Sequence, residues 1–518
     1  MKLINNILAA LVLLSPATIP ARADNNVETI SRDSIMNIVH AAEANDPAAL
    51  NTLAGWYYNG THLERDYSVA ARLWAKSASM GDVTAIGNLG NCYREGHGVD
   101  ADSTKAMGLY IKALRMGDQS LFDAIREGAD HGNSFDCSAM GYFFTEGIGC
   151  KKDYATGAGY YAVNARRGNL LAIRDAGLAY LNAKDYKNAY KWFKRGAEDE
   201  NITCIYYYGR LTTEGLGCPA DPSKGFVYVL KAAERGFSNA QYYVYELYRD
   251  GRGVNASAEA AEKWLREAAV LGLPKAIFDY GKLMASKEDF VVAAYMFSWL
   301  ADRHSFVPQM TALFSQNDPS SIRDTAFGRY ALVLKALSLG DIKAAKDNLK
   351  AFRKLTKSPM GDVLEAMILL NPANEKRDPA KAVKILTKVC EKDKYNYARC
   401  YLAGILERGI DGIEPDVPQA LKLLETAAAE EYPLAYNALG NGYYEEIFKG
   451  DRYDIAVEYY QKAFDSGLML SAPAHRFVRC LDDGEGWSTS HDYASIIESY
   501  QYPAELSDFL QIVPFTTE

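Results

Sequence analysis

The 518-residue sequence predicts an all-α protein, a right-handed α-solenoid of stacked helix-turn-helix units. Three observations carry that reading. One unit recurs along the chain, its apolar residues fall at helical spacing, and glycines close successive units at matching places. Hydrophobic residues make up 48% and charged residues 24%, which excludes a wholly disordered or fibrous chain. A net charge of -9 argues against sequence-independent binding to nucleic acid or an anionic membrane, because such binding needs a basic face. The 36 tyrosines outnumber the 19 phenylalanines, which suits surfaces that are apolar at the ring and wet at the hydroxyl.

In chain order, the first element is an address. Residues 1–23 combine Lys2, the apolar run Ile7–Leu14 and the small-x-small triplet Ala21-Arg22-Ala23, the three parts of a secretory signal cleaved near Ala23. Eight apolar residues fall short of the roughly 20 that a membrane-spanning helix needs. No later run is long enough, so no integral membrane segment is expected in the mature chain. Loss of Lys2 and Arg22 takes the net charge from -9 to -11. The expected destination is secreted or periplasmic, an oxidising compartment. Residues 24–48 read as an N-terminal capping helix, 49–303 as a repeat array, 304–378 as an irregular region, 379–472 as further repeats, and 473–518 as a C-terminal cap and tail.

Each unit has a short apolar-periodic segment, an EG-x-G-like turn and a second, Ala-rich segment, as in the stretches opening at Ala49, Ala85, Cys204 and Ala240. One small position tracks the register: Ala54, Gly90, Gly141, Gly177, Gly209, Tyr245, Gly281, Ala331, Met367, Gly404, Gly440 and Arg476. Most steps are 36 or 37 residues; the exceptions are 51, with an insert near Leu121–Asp136, 50, with one near His304–Asp324, and 32, where the long turn is missing. Positions -5, -1, 0 and +3 share one helix face, as Ala85, Leu89, Gly90 and Tyr93 do. In the second helix Ala70, Leu73, Trp74 and Ala78 do the same, and Gly81, Gly117, Gly168, Gly236, Gly272 and Gly467 are stop signals. One such hairpin cannot bury its own apolar face, whereas stacked neighbours can.

The pattern A-x3-L-G-x2-Y-x2-G-x-G-V-x2-D-x3-A, followed by K-A-A and G, resembles the Sel-1-like repeat family, relatives of the tetratricopeptide repeat. Ala85, Leu89, Gly90, Tyr93, Gly96, Gly98, Val99, Asp102 and Ala106 match it, and Lys231-Ala232-Ala233 supplies the K-A-A element. The likeness extends over 49–118, 204–276 and 379–470, weakens over 136–200, and gives way over 281–378 to a more tetratricopeptide-like pattern. It implies a non-enzymatic scaffold binding a protein or peptide along the concave face, which first helices line in related repeats. Positions -3, +1 and +4 of those helices form a second stripe, about 140° from the core stripe. It holds Asn51, Tyr58, Asn91, Arg94, Tyr142, Arg174, Tyr206, Arg210, Tyr242, Glu246, Arg249, Lys282, Tyr401, Arg408, Asn437, Asn441 and Tyr444. The stripe reads either as a recognition groove with aromatic and Arg anchors or as solvated and stacking positions. Its bases, set against one acid, suit an acidic peptide or an anionic glycan, or else the dipoles of short helix ends.

Eight cysteines allow 105 pairings. Cys390 and Cys400, in VCEKDKYNYARC, are the expected disulfide, since disulfide-rich members of the resembled family place Cys similarly; the bridge would contribute about 2–3 kcal/mol. Cys137/Cys150 and Cys204/Cys218 each bracket a helix and lie too far apart to bridge. The seven histidines show no metal-ligand spacing, and no nucleophile elbow, phosphate loop or H-E-x-x-H occurs, so neither cofactor nor metal nor catalysis is expected. The alternative reading is an envelope protein that binds, or weakly hydrolyses, cell-wall glycopeptide.

Overall fold

A computed structural model describes residues 32–301, 322–448, 452–466 and 471–483. The signal segment, residues 302–321 with most of the insert near His304–Asp324, Gly467 and the C-terminal tail lie outside the described residues. The chain divides into two compact units that part between Ala220 and Asp221. The first contains α1 (Arg32–Glu43), α2 (Pro47–Asn59), α3 (Tyr67–Ser79), α4 (Val83–Glu95), α5 (Ser103–Arg115), α6 (Gln119–Asp130), α7 (Ser134–Glu146), α8 (Tyr154–Arg166), α9 (Leu170–Asn182), α10 (Tyr186–Glu198) and α11 (Ile202–Glu214). The second contains α12 (Pro222–Glu234), α13 (Ser238–Asp250), α14 (Ala258–Val270), α15 (Pro274–Ser286), α16 (Phe290–Ala301), α17 (Ala326–Ser338), α18 (Ile342–Leu355), α19 (Met360–Leu370), α20 (Pro379–Lys392), α21 (Asn396–Arg408), α22 (Val417–Ala429), α23 (Pro433–Tyr444), α24 (Tyr453–Asp465) and α25 (Ser471–Asp483). Within each unit, helices pack on their sequence neighbours, and the fold is an all-α solenoid.

Local chemistry sets these boundaries. An Asp or Asn stands before most helices, and its carboxylate or amide oxygen accepts from the backbone N–H three residues on: Asp46 from Ala49 at 2.7 Å, Asp102 from Lys105 at 2.9 Å, Asn169 from Ala172 at 2.9 Å. Each such cap contributes about 1 kcal/mol. First helices that lead into long turns end on a left-handed glycine, such as Gly96 at φ 73°. The insert near Leu121–Asp136 contains a further helix, α6, whose Leu121, Phe122 and Ile125 are buried.

The register glycines are places of close approach. Gly90 is the eighth residue of α4, and a Cβ there would stand 2.6 Å from the ring of Tyr110 in α5. Gly141 meets Tyr161 at 2.7 Å and Gly440 meets Tyr460 at 2.5 Å in the same way. Axes this close let one large ring cover a partner helix with no side chain of its own. Gly404 breaks the register: it is exposed and nothing stands within 4 Å of a Cβ built on it. The eighth residue of α21 is the fully buried Ala403. The turn after α21, closed by a bridge between Ile410 and Ile413, is one residue longer than its counterparts, which displaced the count.

The EG-x-G turn also joins one repeat to the next. Gly98, at φ 74°, lies so close to the first residue of α3 that a Cβ would overlap the Tyr67 carbonyl oxygen. Beside it His97 stacks on Tyr67 with ring centroids 4.3 Å apart and shares a 2.9 Å hydrogen bond between Nδ1 and the Tyr58 hydroxyl. Gly217 sits on the Tyr186 carbonyl, and Gly253 on that of Pro222, in equivalent positions.

Candidate functional site

The stripe on the first helices divides into three environments. Tyr206 and Tyr242 are 6% and 7% exposed and Asn437 2%, so these three side chains lie in the interior, which corrects their expected place on an open stripe. The Tyr242 hydroxyl donates to Asp279 Oδ2 in α15 at 2.6 Å, and Lys275 Nζ stands 4.4 Å from its ring centroid. Burial, with the Asp279 carboxylate beside it, holds the Tyr242 phenol well above its ordinary range. Tyr206 hydrogen-bonds Arg210, and Asn437 donates to the Pro433 carbonyl at 2.9 Å.

A second group is half-buried and committed to neighbouring helices. Asn51 Oδ1 accepts from Trp74 Nε1 at 2.8 Å and from Asn88 Nδ2 at 3.2 Å. Asn91 and Asn441 accept the hydroxyls of Tyr110 and Tyr460 at 2.5 and 3.1 Å, both nineteen residues on. Arg94 bridges Glu95 at 2.7 Å and the buried Asp136 at 3.0 Å. Arg174 pairs with Asp175, Arg210 with Glu214, and Glu246 with Lys275. Tyr58 is held by His97, and Tyr444 lies under the Arg476 guanidinium. Tyr401 rests against Tyr397.

Tyr142, Arg249, Lys282 and Arg408 are the exposed members. Arg249 pairs with Asp250 and Arg408 approaches Glu445 at 3.8 Å. The expected basic groove is therefore neutralised residue by residue, mostly by an acid one to four positions away, and of its six bases Lys282 alone has no acid within ion-pair distance among the described residues. Because Gly404 is out of register, Tyr401 and Arg408 each lie one residue off the stripe, which in α21 passes through Cys400, Gly404 and Glu407. Sequence reasoning missed Asp136, Asp279, Asn88, Tyr110 and Tyr460; the repeated nineteen-residue Asn–Tyr spacing was the available signal for two of them.

Arg210 also lines a cleft of about 310 Å³ with Tyr186, Tyr207, Leu211 and Glu214, where the end of α9, the start of α10 and α11 meet. Two tyrosine rings beside a guanidinium offer the stacking and hydrogen bonding of a peptide contact.

Cys390 and Cys400 are separate thiols, which corrects the expected disulfide. Cys390 lies in the last turn of α20 and Cys400 in the second turn of α21, near enough that the Cys400 thiol feels the charge of Cys390, yet the two are not bonded. Burial pushes Cys390 up to about 11 and Cys400 up to about 12, so both stay protonated near neutrality. Cys137, Cys150 and Cys204 are free thiols too, and the Cys218 thiol donates to the Leu211 carbonyl. Among the described residues no three His, Cys, Asp or Glu converge as a metal site, and no helix is long and apolar enough to cross a membrane.

The Sel1 repeat family matches residues 47–82, 84–118, 136–169, 172–201, 202–237, 238–273, 395–432 and 433–468. Among solved structures, the chain is similar to an Escherichia coli protein described as a protective antigen of uropathogenic strains displaying an SLR fold, at 19% identity over 91% of this chain and 78% of that one, with a TM-score of 0.29. It is also similar to a Sel1 repeat protein from Oxalobacter formigenes, at 23% identity over 46% of this chain and 97% of that one, with a TM-score of 0.26. Yeast Tom70 follows at 16% identity over 87% and 96%, with a TM-score of 0.23. With eight matched repeats spanning more than half of its residues, the chain belongs to the Sel1 repeat family.

Proposed function

We propose that this protein is a non-catalytic scaffold of the cell envelope or secreted space that binds a protein partner across its first-helix face. Sel1 and tetratricopeptide-like repeats generally mediate protein–protein interaction, and the Sel1 solenoid is generally a non-catalytic scaffold. The single observation that carries the reading is the eightfold repeat itself. Preformed helices lose little ordering entropy on binding, so even a shallow surface can be specific. The signal-like sequence of residues 1–23 supports the envelope or secreted address. The candidate contacts are Tyr142 and the Arg210 cleft within the first unit and, separately, Arg249 and Lys282 within the second, since the buried tyrosines are already occupied.

The test is cross-linking capture with the chain from Asp24 onward as bait in its native envelope and culture fluid. A triple variant, Tyr142→Ala with Arg249→Ala and Lys282→Ala, serves as control. One protein enriched by the wild type and lost with the variant supports the scaffold and locates its face. Recovery of saccharide or cell-wall fragments with no protein overturns it in favour of the glycopeptide reading. Detection of residues 1–23 on protein from a membrane or cytosolic fraction overturns the address.

A further inference from the structure

Residues 342–392 invert the charge of the chain. They hold twelve Lys and Arg against six Asp and Glu, in a protein whose net charge is -9. The same stretch lies within 274–394, which the Sel1 matches leave uncovered. There a cleft of about 540 Å³ opens between α18, α19, the 371–378 segment and the start of α20. That volume is in the range of sites that enclose small ligands or a few side chains of a peptide.

The cleft has an apolar floor and a basic rim. Leu349 and Ile368 are buried beneath it, with Leu369 half-buried beside them. Asn374 fixes one wall: its Nδ2 donates to the Ile368 carbonyl at 2.8 Å, and its Oδ1 accepts from the Lys376 backbone N–H at 3.1 Å. The acids of the cleft are already engaged. Glu365 takes Arg353 at 2.8 Å and Lys381 at 3.6 Å, and Asp378 caps α20 by accepting from the Lys381 backbone N–H at 2.9 Å. Lys346 and Lys350 stand one turn apart on α18, and Lys376 faces the same opening. All three are exposed, and among the described residues no acid lies within ion-pair distance of them.

Three uncompensated ammonium groups around an aliphatic floor complement a segment that carries carboxylates a turn apart and aliphatic side chains between them. No aromatic ring lines the cleft, so it lacks the stacking platform that single-stranded nucleic acid uses. The geometry points to this cleft as the docking site for an acidic, aliphatic peptide segment of a partner protein. The inference rests on the scaffold reading and names the chemistry of the partner.

The test is fluorescence anisotropy with the full chain from Asp24 and a short fluorescein-labelled peptide of Glu and Leu, beside its Gln-for-Glu analogue. Binding of the Glu peptide is expected, weakened by added salt because exposed charges are screened beyond about 10 Å. The analogue should bind at least about tenfold more weakly, as should the acidic peptide to Lys346→Glu/Lys350→Glu/Lys376→Glu, a loss of about 1.4 kcal/mol. A control, Lys343→Glu/Lys384→Glu/Lys388→Glu, makes the same charge change on α18 and α20 outside the lining, and should leave affinity within twofold. Equal loss in the control, equal binding of the Gln analogue, no binding at all, or displacement of the peptide by a single-stranded oligonucleotide overturns the assignment. Partner capture that persists in the cleft variant while peptide binding fails removes the cleft and leaves the scaffold. Absence of any protein capture removes the scaffold as well.

Discussion

Two stretches join their helix pairs by different means. In α2–α5 the repeats are clasped through the turn: Gly98 rests on the backbone of α3, His97 is wedged against Tyr67 and Tyr58, and Asn51 reaches Asn88. In α15–α19 the turns within helix pairs shrink to three residues, and large rings take over. Phe290 packs 5.3 Å from Phe352 and 5.6 Å from Tyr330, and Phe297 stands 5.5 Å from Phe327. Directional contacts leave a motif at fixed spacing, whereas an aromatic core needs only apolar residues of the right volume. The family pattern therefore stops at 273 and resumes at 395, while the helix pairs continue between them.

The largest expected effects test that contrast. Phe290→Ala should cost about 3–5 kcal/mol, because a fully buried ring leaves a cavity. Gly98→Ala should cost about 2–4 kcal/mol, since its methyl meets a backbone carbonyl at a left-handed φ. Denaturant unfolding measures both; if Gly98→Ala is neutral, the clasp is not what joins these repeats.

Arg94→Ala comes next, at about 1–3 kcal/mol near neutrality, because it strands a buried carboxylate. Burial already raises the Asp136 carboxyl above its ordinary value, and Arg94 is the group that restrains the rise. A carboxyl raised in the fold costs stability when ionised, and that cost disappears as pH falls through the folded value towards the ordinary one. The deficit of Arg94→Ala should therefore shrink on going from neutral to mildly acidic pH. A deficit independent of pH would show that Asp136 is not the stranded group.

A pair of glycines sharpens the register. Gly90→Ala should lose about 1–3 kcal/mol against the Tyr110 ring. Gly404→Ala, exposed in a helix interior, should gain up to about 1 kcal/mol. Equal losses would restore Gly404 to the repeat position. The smallest effect is kinetic. With Cys92, Cys204, Cys390 and Cys400 raised to about 11 or 12, iodoacetamide at mildly alkaline pH should label them only after unfolding. Rapid labelling of the native chain would place these thiols at the surface.

The fold was legible because its rule is local. Gly90, Gly141 and Gly440 each recur at the point where a second-helix ring crosses, and a count of residues finds them. The candidate stripe was less legible because the two-faced rule for a surface helix, core on one side and water on the other, does not hold here. A first helix is flanked by its own second helix and by the repeats before and after it. Tyr242 looks outward on a helical wheel, yet its hydroxyl ends on Asp279 in the next repeat. Nothing in a single helix's periodicity reports that neighbour. The basic character of the stripe misled for a different reason: Glu95, Asp175, Glu214 and Asp250 stand one or four residues from its arginines in the same helices, but off the stripe positions that were read.

The turn clasp makes dependence between repeats run one way. Gly98 is seated on the second helix of the repeat before it, and Gly217 and Gly253 likewise look backwards along the chain. Trimming repeats from the C-terminal side leaves every remaining turn with its seat. Trimming from the N-terminal side uncovers the turn of the first repeat left behind. The solenoid is thus polar in assembly: each clasped repeat presents a finished seat to its successor and needs one from its predecessor.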